Sequence, residues 1–156
     1  MRKLVVVMKN TFTSRLLAVV AILLGIAWGN EGTNAQTISH NPMEINVIIA
    51  NKTFVADVED TETGRAFVGR LPMTLDMSEL NGNEKYNYLP FTLPTNTYAP
   101  GQIQAGDVML YGNSCLVVFY KSFSTPYSYT KIGHIEDISD LQKVVGTGSV
   151  QMTFTK

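Results

Sequence analysis

Beyond the N-terminal segment, hydrophobic residues occur in short runs that alternate with polar positions or end at Gly, Asn or Pro. Short runs rich in β-branched and aromatic residues, with apolar side chains at every second position, are typical of β-strands with one buried face. The segment 114–120 is continuously apolar, so we expect both faces of that strand to be covered. The pattern predicts eight strands, at 44–50, 53–58, 73–77, 84–89, 107–111, 114–120, 131–136 and 150–155.

Two short helices are predicted between these strands. The first covers 61–71, where Asp60 can cap the N-terminus. Its two glycines weaken it by about 1 kcal/mol each relative to alanine, so packing of side chains such as Phe67 must hold it. The second covers 138–145. Two further segments have no periodicity and are predicted to be surface loops, namely 90–106 and 122–130.

Many short strands with only two short helices favour a mainly β fold, either a closed barrel or a sandwich. The composition agrees with one folded domain, because the 156 residues are 45% hydrophobic and 16% charged. The single cysteine, Cys115, excludes an internal disulfide framework. It lies in the apolar run SCLVVFY, where we expect a buried small side chain rather than a nucleophile.

The N-terminal segment has the pattern of an export signal. Residues 1–15 carry four basic side chains and no acid, and residues 16–28 are thirteen uncharged, mostly apolar residues. Small residues at Thr33 and Ala35 predict cleavage before Gln36, which would leave a polar tether at 36–43 and a domain at 44–156. We therefore predict a secreted or periplasmic protein. The alternative is an uncleaved N-terminal membrane anchor, although the apolar run is shorter than the roughly 20 residues of a membrane span.

Charge and motif spacing argue against several other classes. Without residues 1–35 the chain has eight basic and twelve acidic residues, a net charge of −4, and its basic residues are scattered. Nucleic acid is therefore not an expected partner.

His134 and Glu136 share one face of a predicted strand but lack a third metal ligand. The segment 146–148 (GTG) precedes a strand rather than a helix, so we predict a turn and no phosphate loop. No cofactor is predicted.

Several segments together resemble the bacterial cyclophilin-like domains, which are small proteins of largely unassigned function. The similarity covers about residues 45–156. It implies a closed, largely antiparallel, eight-stranded barrel with two short helices. The most specific segments are LP at 71–72, NGNEK at 81–85, GDVMLYGN at 106–113 and IGHI at 132–135.

The same resemblance raises peptidyl-prolyl cis-trans isomerisation as an activity. True cyclophilins place an arginine beside the proline amide, on a strand with a Phe-His-Arg run and near a Gln-Gly-Gly-Asp motif, and neither motif is present here. After the predicted signal, the two arginines are Arg65 and Arg70, both in the first predicted helix. A weak isomerase is therefore the alternative and not the leading hypothesis, and no catalytic residue is assigned.

Aromatic residues are dense between 119 and 129. Alternation along a strand puts Phe119 and Tyr120 on opposite faces, and we expect Phe119 to pack in a core. Tyrosines in a loop suit a cleft that holds a ligand, because their rings are apolar and their hydroxyls polar. The predicted ligand groove consists of Tyr120, Phe123, Tyr127, Tyr129 and His134, with Arg70 and Glu84 as polar anchors.

The leading hypothesis is an exported, non-catalytic module that binds an extended peptide or a small ligand in this groove. His134 is a weaker member, since a histidine between two isoleucines is more often structural. A third hypothesis is a stability module in a larger envelope assembly, which a groove filled by the protein's own side chains would favour.

Overall fold

The computed structural model describes residues 42–156. The predicted signal at 1–35 and nearly all of the tether at 36–43 lie outside the described residues. Within the described part, ten strands and two helices follow one another along the chain. The helices are α1 (Glu62–Val68) and α2 (Leu141–Val145). The strands are β1 (Met43–Ile49), β2 (Lys52–Val58), β3 (Met73–Leu80), β4 (Glu84–Tyr88), β5 (Gln102–Ile103), β6 (Asp107–Tyr111), β7 (Cys115–Phe119), β8 (Phe123–Ser124), β9 (Thr130–Ile135) and β10 (Val150–Thr155).

Eight of the strands close into a barrel in the order β1-β10-β3-β4-β7-β6-β9-β2. Every pair of neighbouring strands is antiparallel. The barrel closes at β1, because Val47 lies opposite Phe54 of β2 on one side and Phe154 of β10 on the other. The predicted closed, eight-stranded, antiparallel barrel is therefore confirmed.

The barrel interior is filled by side chains at alternating strand positions. In β1, for example, Ile45, Val47 and Ile49 are buried, whereas the residues between them are half-buried or exposed. Both helices add buried side chains to the same cluster, including Phe67 from α1 and Leu141 from α2. We call this cluster the barrel core. In the described chain, no helix is long and apolar enough to cross a membrane.

Both helices differ from the predictions at their N-terminal ends. The cap of α1 is Thr61 rather than Asp60, because the Thr61 side chain accepts a hydrogen bond from the Gly64 N–H at 3.0 Å. The Asp60 carboxylate instead forms an ion pair with Arg65. The second helix begins at Leu141, later than the predicted residue 138. The residues before it form a turn, in which an Asp137 oxygen accepts from the backbone of Ser139 at 2.9 Å.

The two segments predicted to be loops pair with each other. β5 comes from the first segment and β8 from the second, and they form a two-stranded antiparallel ribbon outside the barrel sheet. Tyr98 and Tyr129 add an isolated bridge between the same segments. The loop prediction was wrong here because strands of two residues are too short to show any hydrophobic period.

The barrel wall beside this ribbon is covered on its outer face by a second hydrophobic cluster, which we call the outer cluster. Phe119 is fully buried in it, whereas Tyr120 belongs to the barrel core. The predicted opposite orientation of these two side chains is confirmed, and so is the coverage of β7 on both faces. The buried members of the outer cluster are Ile103, Met109, Cys115, Val117, Phe119 and Tyr129.

Candidate functional site

A solvent-open cavity of about 330 Å³ lies against the outer face of the barrel. We call it the tyrosine pocket. Its floor comes from β4 and β7, and its walls come from β6, β8 and the segment after β8. The lining residues are Leu80, Asn81, Glu84, Tyr86, Tyr88, Tyr111, Cys115, Val117, Phe123, Tyr127 and Tyr129.

Strand alternation and register build the floor. On β4, Glu84, Tyr86 and Tyr88 are two residues apart and therefore point to the same face. On β7, Val117 lies opposite Tyr86 and Cys115 lies opposite Tyr88, so these side chains share that face. The floor is part of a hydrogen-bonded sheet, which fixes its side chains more rigidly than a loop would.

The walls are aromatic side chains that contact one another. The ring centres of Tyr111 and Tyr127 are 6.2 Å apart with an interplanar angle of 82°, and those of Tyr111 and Tyr129 are 5.7 Å apart. Tyr129 in turn packs edge-on against Phe119 at 5.5 Å, which ties the wall to the outer cluster. Such edge-to-face contacts hold the rings in position in the absence of a ligand.

The pocket also concentrates the exposed apolar surface of the barrel. Seven large hydrophobic side chains of the described chain are exposed, and four of them line this pocket. Tyr88 is 67% exposed and Tyr127 is 59% exposed. Contiguous exposed apolar surface of this kind marks interaction sites more often than scattered single residues do.

Among the described residues, Glu84 is the one charged side chain in the lining, and it is only 9% exposed. Among the hydrogen bonds and ion pairs of residues 42–156, none involves its carboxylate. Burial, together with the negative charge of Glu79, raises the pKa of Glu84 above its ordinary value. Burial, followed by the charge of Glu84, likewise raises the pKa of the Cys115 thiol, which makes that thiol a poor nucleophile.

The structure brings together four of the seven residues of the predicted groove. Glu84, Phe123, Tyr127 and Tyr129 all line the tyrosine pocket. Their role in binding stays a prediction, but they form one cavity.

The other three lie elsewhere. Tyr120 faces the barrel core, and its hydroxyl donates a hydrogen bond to Glu79 at 2.8 Å. Arg70 follows α1, and its guanidinium lies over the Phe91 ring, 4.6 Å from the ring centre. Tyr120 and Arg70 therefore do not line the pocket.

His134 lies on β9 and has a protein partner. Its Nδ1 is 3.0 Å from a carboxylate oxygen of Asp107, whose other oxygen accepts from the Gln104 N–H at 2.9 Å. Gly106 has φ 98°, and a Cβ there would lie 2.9 Å from the imidazole and 2.8 Å from the Ile135 carbonyl oxygen. Glycine is therefore required for this close approach. In the part of the chain that the structure describes, no group of three or more His, Cys, Asp and Glu could hold a metal ion.

Sequence reasoning missed the other seven lining residues, among them the three tyrosines Tyr86, Tyr88 and Tyr111. The signal for the first two was present, because Glu84, Tyr86 and Tyr88 alternate along one predicted strand. The sequence does not show which strand lies next to this one, so the position of β4 beside β7 and the ribbon could not be predicted.

Sequence reasoning also missed a second polar site, which we call the lysine cluster. Lys85 is fully buried and faces the barrel interior, where its ammonium pairs with Glu79 and donates to the carbonyls of Gly146, at 3.0 Å, and Gly148. Burial works to raise the pKa of Glu79, but hydrogen bonds from Lys85 and Tyr120 lower it below its ordinary value. The turn at 146–148, which was predicted from its glycines, thus supplies backbone carbonyls that accept hydrogen bonds from the Lys85 ammonium.

Comparison with known proteins agrees with this architecture. A family model described as the Cyclophilin-like family matches residues 47–155. The chain belongs to the Cyclophilin-like family. The resemblance noted from the sequence is therefore confirmed. A search of the curated proteins found no match.

Among solved structures, one described as "Structure of McbB in complex with tryptophan" matches with a TM-score of 0.58 and 15% sequence identity. The match covers 72% of this chain and 44% of that one, so this chain spans less than half the length of its neighbour. At such low identity, the likeness shows a shared fold.

Proposed function

We propose that this member of the Cyclophilin-like family is an exported, non-catalytic module that holds a small organic ligand in the tyrosine pocket. One observation carries the proposal. An open cavity on a rigid sheet collects most of the large exposed hydrophobic side chains of the described chain and surrounds one buried, unpaired carboxylate. Apolar walls with a few convergent polar groups are the usual composition of a small-molecule site.

The size of the pocket favours a small ligand over an extended peptide. Its volume of about 330 Å³ is near the lower end of the range for small-molecule sites, roughly 300 to 1,000 Å³. The pocket is also open and not filled by the protein's own side chains, which argues against a purely structural module. The solved neighbour of the same fold is described as a complex with tryptophan, a small aromatic molecule, and this adds support.

A ligand screen by saturation-transfer NMR on the full chain tests the proposal. We expect small aromatic and amphipathic molecules to bind, and Tyr127→Ala to weaken binding by about tenfold, since a buried aromatic contact contributes on the order of 1 kcal/mol or more. Tyr98→Ala is the matched control, because Tyr98 is also an exposed tyrosine, at 42%, but does not line the pocket. Equal loss in both variants would contradict the assignment, and a screen without any binder would favour the structural-module hypothesis.

The isomerase alternative rests on family membership and on Arg70, whose guanidinium lies beside an apolar ring. Neither Arg65 nor Arg70 lines the tyrosine pocket. A proline-isomerisation assay on the full chain distinguishes the two functions. Catalysis that Arg70→Ala abolishes and Tyr127→Ala preserves would replace ligand binding as the leading function.

Export is supported by the basic residues and the apolar run within residues 1–35. We expect the protein recovered outside the cytoplasm to begin at Gln36. Ala35→Glu should block cleavage, because the peptidase accepts small side chains at that position. Recovery of an unprocessed chain from the membrane fraction would support the N-terminal anchor instead.

A further inference from the structure

We propose that the tyrosine pocket selects small organic cations, with the ligand's ammonium group held by the Glu84 carboxylate and its carbon skeleton held by tyrosine rings. The inference rests on the proposed ligand-binding function and adds the chemical class of the ligand.

Glu84 lacks a charge partner in the described part of the chain. Its side chain is more than nine-tenths buried, lines the cavity, and has no hydrogen-bond donor or cation among the described residues. Such a carboxylate is less favourable than one in bulk water, because burial removes part of its hydration and no protein group replaces it, although its oxygens still face the open cavity. The nearby negative charge of Glu79 adds to this penalty. A cationic ligand would remove it, whereas an anionic ligand would increase it.

The basic side chain that is adjacent to Glu84 in sequence pairs with other groups. Lys85 is adjacent in sequence, but strand alternation turns it to the barrel interior. There its ammonium pairs with Glu79 and with two backbone carbonyls. No Lys, Arg or His is found in the lining of the tyrosine pocket as the structure describes it. Residues 42–156 therefore supply no counter-charge for Glu84, and a cationic ligand can provide one.

The aromatic lining of the pocket also suits an organic cation. The face of a tyrosine ring attracts a cation within about 6 Å of its centre. Tyr111 and Tyr127 meet at 82°, so the two ring planes form a corner that can hold the carbon skeleton of a ligand whose ammonium group pairs with Glu84. The net charge of −4 on residues 36–156 also favours the approach of cations.

The same ammonium chemistry occurs in free amines and in peptide lysines. The small volume of the pocket, about 330 Å³, favours a free amine, since a lysine must bring its peptide backbone to the mouth. The test therefore includes both sources.

Isothermal titration calorimetry on the full chain uses phenethylammonium chloride and its neutral isostere 2-phenylethanol at neutral pH. We expect the ammonium to bind about tenfold more tightly than the alcohol, and added salt to weaken only the ammonium. Glu84→Gln should remove this preference while keeping the shape of the side chain. Glu44→Gln is the matched control, because it neutralises an exposed glutamate on β1 outside the pocket and should keep the preference.

Each of the other outcomes would overturn a specific part of the proposal. If both ligands bind the wild-type chain equally and Tyr127→Ala weakens both, the pocket binds ligands but does not select cations. If Glu84→Gln keeps the preference and its salt dependence, another group recognises the ammonium. If N-acetyl-lysine methylamide binds more tightly than phenethylammonium, the ligand is a peptide lysine. If neither ligand binds and the screen described above yields no binder, the proposed function fails as well.

Discussion

Glu84 and Lys85 are neighbours on β4, and both are almost completely removed from water. Lys85 faces the barrel interior, where Glu79 and the carbonyls of Gly146 and Gly148 surround its ammonium. Glu84 faces outward into the tyrosine pocket and has no such partner in the described chain. β4 therefore carries two opposite charges on its two faces, and in the described chain only the charge of Lys85 has protein partners.

The difference separates a structural role from a binding role. A buried charge with a full set of partners holds the parts that it touches, which here are β3, β4 and the turn before β10. A buried charge without partners weakens the fold, and such a charge is retained where function requires it. We therefore expect changes in the lysine cluster to alter stability, and changes in the tyrosine pocket to alter binding.

The largest expected effect is that of Lys85→Met. The substitution keeps the length of the side chain but leaves Glu79 and two carbonyl oxygens without their donor, so we expect a loss of about 3 kcal/mol in the free energy of unfolding. Urea denaturation followed by circular dichroism measures it. Lys52→Met is the control, because Lys52 forms an exposed ion pair with Asp140, and its loss should be much smaller. Similar losses in the two variants would show that Lys85 is not a structural anchor.

Glu79→Gln should have a somewhat smaller effect, about 2 kcal/mol at neutral pH, because charge-assisted hydrogen bonds from Lys85 and Tyr120 are lost. The pKa of Glu79 is lowered in the folded state, so its contribution is present above the ordinary value of 4.5 and disappears as the pH falls through the folded pKa. The difference between the wild type and the variant should shrink over that range. A difference that does not change with pH would mean that the charge of Glu79 does not contribute.

Glu84→Gln should have an effect of opposite sign, a gain of about 1 kcal/mol at neutral pH in the absence of ligand, since it removes an unpaired buried charge. The pKa of Glu84 is raised, so the penalty is absent below the ordinary value of 4.5 and appears as the pH rises through the folded pKa. Denaturation curves at several pH values measure the gain. Glu44→Gln provides the baseline for neutralising an exposed glutamate, and a stability loss for Glu84→Gln would mean that Glu84 has a stabilising partner in solution.

Most of the fold could be predicted from the sequence because each barrel strand carries its own local signal. The alternation in β10 through Val150, Met152 and Phe154 is visible in a window of six residues, and the structure buries Met152 and Phe154 as expected. The hairpin of β6 and β7 has an apolar run on each side and the turn formers Gly112 and Asn113 between them, and in the structure the turn also includes Ser114. Local patterns of this kind do not depend on distant partners.

The site could be predicted only in part because it depends on such distant partners. The aromatic density after Phe119 pointed to Phe123, Tyr127 and Tyr129, which line one cavity, and their role in binding stays a prediction. The sequence could not show that Tyr120 turns inward to Glu79. Nor could it show that β4 lies beside β7, because the register between strands that are distant in sequence is set by the closed barrel and not by either strand alone.

The smallest expected effect is on the reactivity of Cys115, which lies on the pocket floor and is the one cysteine of the chain. Burial is the main cause of its raised pKa, the charge of Glu84 raises it further, and a hydrogen bond from Tyr88 lowers it. The pH profile of alkylation by iodoacetamide should therefore shift to lower pH in Glu84→Gln and to higher pH in Tyr88→Phe, with rates changed by a few-fold at mildly alkaline pH. The midpoint of each profile reports the pKa and its plateau reports access. A change in the plateau alone would mean that these residues shield Cys115 sterically and that the charge of Glu84 does not affect the thiol.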